Sequence, residues 1–154
     1  IGKASRLLKE DDVDGAIKYF DEAIELESDE AKKAKYSYIV AALMFKQGKV
    51  SQSRQYCRKS LQFNPSNGDA YLLQASCIAR IASGDHLQKS YYYCLATDYC
   101  NRAKAVDPAT AAKANRQAAT YASYYYPKSE AFFAGIKAGQ KVNVAGETTT
   151  LRLR

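Results

Sequence analysis

The residues best able to do chemistry in this 154-residue chain are four cysteines and one histidine. Cys57, Cys77, Cys94 and Cys100 include no C-x2-C pair, the spacing that brings two thiolates to one zinc ion. His86 has no second ligand at metal spacing. A histidine-based nucleophilic triad would have to use His86, and no Gly-x-Ser-x-Gly turn accompanies it. Phosphate-loop and dinucleotide fingerprints are missing too. Acids crowd residues 10–30, and a carboxylate pair could be drawn from them. A long charged run is more simply the wetted face of a helix. The reading is a non-enzymatic chain with no metal and no cofactor.

Thiol chemistry depends on how the elements pair. A spacing occurs three times: Ala16, Phe20, Ala23; Ser53, Cys57, Ser60; Ala96, Cys100, Ala103. Steps of four and three return to one side of a helix, so each triplet is a small-large-small stripe. Pro65 and Pro108 follow the second and third stripes by five residues. Such a recurring stripe before a helix stop predicts stacked helical hairpins. In an antiparallel hairpin, facing residues keep a constant index sum. Ala75 opposite Ala96 then sets Cys77 opposite Cys94, close enough for a disulfide. The alternative is two small buried core thiols. Export to an oxidising compartment would favour the bridge.

The periodicity predicts a helical remnant over residues 1–10 and helices over 12–27, 29–47, 50–63, 68–83, 87–106 and 109–125. Asp11 and Asp12 can cap the second of these, Gly48 stops the third, and Asn64-Pro65 ends the fourth. Ser83-Gly84-Asp85 reads as a turn, and Lys128 to Gly135 as one further short turn. Lys141 to Val144 and Thr148 to Leu153 alternate, with Ala145-Gly146-Glu147 between them, so a hairpin is expected. A two-stranded ribbon is marginal alone. It should dock on the last helix, pair with a neighbouring chain, or stay mobile. The division is residues 1–126, helical repeats of about three pairs with a capping helix, and residues 127–154, a tail.

Hydrophobic residues make up 47% of the chain, enough for a continuous core, and no run approaches a membrane span. Residues 1–30 carry four basic and ten acidic side chains, net −6; residues 31–154 carry nineteen and six, net +13. A basic body could attract nucleic acid, an anionic surface or an acidic protein, or simply be a solvated helical surface. Thirteen tyrosines include triplets at 91–93 and 124–126. Three consecutive helical tyrosines point about 100° apart, so one stripe cannot bury them all. They either pack between long helices and under the tail or form a contact surface. The opening residues show no signal peptide and look like a cut within a longer chain.

The stripes, with Tyr38, Ala41, Gly48 and Pro65 in the middle unit and Tyr71, Ala75, Ala96, Ala103 and Pro108 in the next, resemble tetratricopeptide repeats. That family's unit is an antiparallel helix pair of about 34 residues closed by proline. Ser53, Cys57 and Ser60 depart from its usual Ala, aromatic and Ala, and Ser28 stands where the first unit would have proline. Pro65 to Pro108 spans 43 residues, longer than the standard unit, and would lengthen both helices by about a turn. The stretch from Ala103 to Pro108, with Tyr126-Pro127, Phe132-Phe133, Gly135, Gly139, Thr148-Thr149-Thr150 and Arg152, is similar to the ending of tetratricopeptide proteins of Bacteroidetes-type bacteria. That similarity implies a periplasmic or envelope-associated protein, with a cytoplasmic one as the alternative, and Arg154 near the natural C-terminus.

The resemblance implies an all-α superhelix of antiparallel helix pairs with a small β-hairpin, acting as a scaffold for a peptide or protein partner. Its concave side would present Lys35, Tyr38, Ala42, Phe45 and Lys46, then Asp69, Leu72, Ser76 and Arg80, extended by Tyr121. Steps of three and four support one face on each helix. The asparagine-and-lysine set that clamps a C-terminal carboxylate in some members is missing, with Tyr38 and Ser76 near those positions. Two aromatics flanked by Lys35, Lys46 and Arg80 suit an extended or helical peptide of acidic character. The same face could instead cover a neighbouring repeat. Two other readings stay open: an electrostatic binder of nucleic acid or an anionic surface, and a dimer formed through the tail strands.

Overall fold

The computed structural model describes residues 2–154; Ile1, read with the first helix, lies outside them. The described residues form eight α-helices and a two-stranded antiparallel sheet. The helices are α1 (Gly2–Lys9), α2 (Val13–Leu26), α3 (Glu30–Lys46), α4 (Val50–Phe63), α5 (Gly68–Arg80), α6 (His86–Val106), α7 (Ala111–Ala122) and α8 (Lys128–Ala134). A single 3-10 turn, Pro108–Thr110, leads into α7, and β1 (Lys141–Val144) and β2 (Glu147–Thr150) close the chain.

Local chemistry fixes most boundaries. The Asp12 carboxylate accepts the Gly15 N–H at 2.9 Å and caps α2. Asp29 and Asn67 do the same for α3 and α5. Asp85 and Gln88 exchange side-chain and backbone bonds in a capping box at the start of α6. α5 stops at Arg80 and not at 83, with the Ile81 N–H closing onto the Cys77 carbonyl at 3.2 Å. Gly48 takes φ +76 where α3 turns back into α4, a conformation that a side chain disfavours.

Each helix from α1 to α7 packs on the next, and α3 also touches α5. The second stripe shows how closely α3 and α4 approach. Ser53 Oγ donates to the Ala41 carbonyl at 2.7 Å, and Ser60 Oγ donates to the Ala34 carbonyl at 2.7 Å, with all four residues buried. As the index rises along α4 it falls along α3, which makes the pair antiparallel. Serine suits these positions because it is small and its hydroxyl finds an acceptor in the facing backbone. The main core joins Leu72, Ala75 and Ile78 of α5 to Leu95, Ala96, Tyr99, Cys100 and Ala103 of α6, then to Ala114 and Tyr121 of α7. A second cluster holds Ala4, Ile17, Phe20 and Val40 across α1, α2 and α3.

The expectation for the third unit needs correction. The longer third unit does not extend both helices. α6 has 21 residues against 14 in α4, whereas α5 has 13 against 17 in α3. The added turns lie at the start of α6 and carry Tyr91, Tyr92 and Tyr93, all half-buried. Tyr93 stacks on Tyr124 at 4.7 Å, so much of the tyrosine surface is packing around the end of α7. Of the two arrangements left open for the thiols, the structure has the buried, unbridged one. Cys77 and Cys94 are free, like Cys57 and Cys100. Cys77 Sγ donates to Ser53 Oγ at 3.4 Å, towards α4, while Cys94 Sγ accepts the Arg152 N–H at 3.3 Å, towards the tail. The index sum places two residues at one height on a hairpin; it does not turn both side chains inward.

The tail docks on α6, not on the last helix. β1 and β2 pair from Lys141↔Thr150 to Val144↔Glu147 around Ala145-Gly146, both at positive φ. The Asp98 carboxylate accepts Arg152 Nη2 at 2.6 Å and the Thr149 hydroxyl. Arg152 Nη1 also donates to the Cys94 carbonyl at 3.0 Å. Glu147 accepts the Tyr99 hydroxyl at 2.7 Å and Arg54 Nη2 at 3.1 Å, which ties the hairpin to α4 as well. Leu151 seals the contact beside Cys94 and Tyr125.

Asp98→Ala removes one acceptor shared by Arg152 and Thr149. It should cost about 2 kcal/mol in urea denaturation, since charge-assisted hydrogen bonds are worth more than neutral ones. Limited proteolysis should then cleave the 139–154 region before the helices. Equal stability and an unchanged cleavage order would contradict the assigned role of this carboxylate.

Candidate functional site

α3, α5 and α7 present one face each to an open groove of about 460 Å³. Its lining is Tyr38 from α3, Asp69, Leu72, Leu73 and Ser76 from α5, and Lys113, Arg116, Gln117 and Thr120 from α7. The Leu72 and Leu73 side chains form an apolar floor. The α7 wall is polar and basic, with residues at steps of three and four on one side of that helix.

Hydrogen bonds hold the walls in place. Gln117 Nε2 lies 2.8 Å from Ser76 Oγ, 2.7 Å from the Tyr121 hydroxyl and 3.1 Å from the Leu72 carbonyl. An amide nitrogen carries two protons, so it satisfies two of these acceptors at a time and fixes α7 against α5. Lys113 Nζ stands 3.4 Å from Asp69 Oδ1 across the groove mouth. Both side chains are largely wet, so this pair is worth little and exchanges easily for another anion. Arg116 is exposed and has no ion-pair partner among the described residues. Burial, with Asp69 nearby, raises the Tyr38 phenol above its ordinary value. Burial raises Tyr121 likewise, against the lowering effect of its bonds to Gln117 and Ser76.

The structure brings together some of the residues read from the sequence and separates others. Tyr38, Leu72 and Ser76 line the groove, and Tyr121 stands behind Gln117 as a buried support. Phe45 and Arg80 meet each other, the guanidinium lying 4.9 Å from the ring centre, but neither lines this cavity. Lys35 and Lys46 are exposed on α3 and also lie outside its lining. Sequence reasoning missed Lys113, Arg116, Gln117 and Thr120. Their signal was available: a polar stripe at i, i+3, i+4 and i+7 beside the alanine stripe of α7.

Three of the ten acids between residues 10 and 30 have structural partners that explain them. Asp12 and Asp29 cap helices, and Asp21 accepts the Tyr56 hydroxyl at 2.7 Å. His86 Nδ1 lies 3.8 Å from Glu130 on α8. Among the described residues no cluster of three or more His, Cys, Asp or Glu is placed to hold a metal ion. No described helix is long and apolar enough to cross a membrane.

Compared with known proteins, the chain matches no protein-family profile and no curated sequence.

The cysteines give a pH test. Burial raises all four thiols, Cys100 from 9.0 to about 11 and Cys57 further still. Burial, aided by hydrogen bonds to Asp21 and Glu147, takes Tyr56 and Tyr99 to about 12. The folded chain therefore keeps protons that the unfolded chain releases from about pH 9 upward, and stability falls as the pH rises through those folded values. The melting temperature should drop between pH 9 and pH 12, and the thiols should resist a disulfide-exchange reagent at pH 8 until the chain is unfolded. Rapid labelling of all four in the folded protein would contradict this burial.

Proposed function

We propose that this chain is a non-enzymatic interaction scaffold of the tetratricopeptide type, which takes a peptide or protein segment into the α3–α5–α7 groove. The observation that carries the reading is the composition of that groove: an apolar floor at Leu72 and Leu73 beneath a basic rim at Arg116 and Lys113. Contact between α3 and α5, alongside the antiparallel α3–α4 pair, supports a repeating stack in which alternate helices share one face.

An extended or helical segment would set an apolar side chain on Leu72 and Leu73 and offer carboxylates to Arg116 and Lys113. Arg116 suits this because its planar guanidinium can take a carboxylate through two parallel bonds. Tyr38 and Thr120 supply neutral donors on the opposite walls. The Gln117 bonds to α5 hold the groove ready before a partner arrives, which lowers the ordering cost of binding. The envelope location implied by resemblance is part of this proposal, since an exported scaffold would meet extracytoplasmic partners.

A random peptide library panned on the full chain tests the reading. Selected sequences should carry Asp or Glu beside an apolar residue. Arg116→Glu should weaken their binding roughly tenfold, mainly through slower association, and reduce its dependence on salt. Lys35→Glu, outside the groove lining, should leave affinity within about twofold. No enrichment, or equal losses from Arg116→Glu and Lys35→Glu, would remove the groove from the account.

A further inference from the structure

We propose that α8 is a docking surface for an anionic phospholipid bilayer, with Phe132 and Phe133 entering the interface and neighbouring lysines meeting the head groups. The proposal stands apart from the groove. The two phenylalanines are 80% and 87% exposed and meet edge to face at 5.6 Å. Leu26 is as exposed at 87% but is a single side chain at the far end of α2. Adjacent bare aromatic rings on one short helix are unusual on a water-facing surface.

The helix holding them is anchored at both ends. Ala131, within it, is its buried residue. The Lys128 N–H donates to the Arg154 carbonyl at 2.8 Å, and the Ile136 N–H donates to the Ala131 carbonyl at 2.9 Å. Ile136 itself packs into the cluster around Cys94, Tyr125 and Leu151. The rings are therefore held outward by a fixed backbone.

Charge selects the occupant. Lys128 lies one turn before Phe132 on the same side of α8. Lys137 comes three residues after the helix, and Lys141 opens β1, where its Nζ also donates to Thr150 Oγ1 at 2.6 Å. None of these lysines has an ion-pair partner among the described residues. Glu130, the acid on α8, already faces His86 at 3.8 Å. A second copy of the chain fits poorly. Two phenylalanine side chains offer less than about 400 Å², against roughly 800 Å² per partner in a stable interface. A bilayer requires no shape complement. It takes the rings at the depth of the head groups and rewards cations near acidic lipid.

Sedimentation with sucrose-loaded vesicles tests this on the full chain. The protein should pellet with phosphatidylcholine–phosphatidylglycerol vesicles and stay in solution with phosphatidylcholine alone. The double variant Phe132→Ser/Phe133→Ser should lose roughly tenfold or more of that partitioning. Lys128→Glu/Lys137→Glu should lose a similar amount. Both variants should melt like the parent, because none of these side chains is buried. Equal pelleting of parent and serine variant would make the attraction a property of the basic body and overturn the proposal. No pelleting of the parent would overturn it as well. Light scattering that shows a dimer dissociated by the serine variant would assign the face to a second copy instead.

Discussion

Two serine hydroxyls donating to facing helix carbonyls set the geometry on which the groove depends. Ser53 and Ser60 of α4 reach Ala41 and Ala34 of α3 at 2.7 Å each. Bonds that short between a side chain of one helix and the backbone of another need small residues on both surfaces. They fix the height of α3 relative to α4 at two points. Cys77 of α5 extends the contact by donating to Ser53, and Asn67 Nδ2 before α5 donates to Ser60 at 2.9 Å. The α3 wall carrying Tyr38 is thereby tied, through α4, to the α5 floor carrying Leu72. A bulkier residue at either serine would push α3 outward and change the width of the groove.

Around α6 the small-residue stripe is joined by charged and hydrogen-bonded contacts to the tail. α6 packs against α5 and α7 through an apolar stripe and against the tail through Asp98, Tyr99 and Cys94. The tail thus covers polar groups on α6 that would otherwise face water, and Glu147 links it back to Arg54 on α4. Gly68 shows how tight the junction of α5 with the α6–α7 turn is: a Cβ there would come within 2.7 Å of Asp107 and Thr110 side-chain carbons. The helix pairs and the hairpin form one connected body, which lets the groove be preformed.

Local signals account for much of what the sequence made legible. Asp12, Gly48 and Asn64 each act within a few residues of where they stand, so their helix ends could be read directly, whereas Asp85, read only as part of a turn, is the cap of α6. The stripes at 53–60 and 96–103 named the buried faces for the same reason. What could not be read depends on distant partners. The bonds from Tyr99 to Glu147 and from Arg152 to Asp98 join residues 48 and 54 positions apart, with no periodic signature. The direction of Cys77 and Cys94 around their helices depends on α4 and on the tail. The α7 half of the groove was hidden because α7 looked like an alanine-rich cap, and its polar stripe gains meaning only beside α5.

The central claim is that α3 and α4 meet through small hydroxyl residues with no room to spare. Urea denaturation of Ser53→Ala and Ser53→Val tests it most directly. Alanine loses only the hydroxyl and adds no bulk, so it should cost about 1 kcal/mol. Valine adds a methyl group where the helices touch, and it should cost about 1 kcal/mol or more beyond alanine. A valine variant as stable as the alanine variant would show slack between the helices and contradict the account.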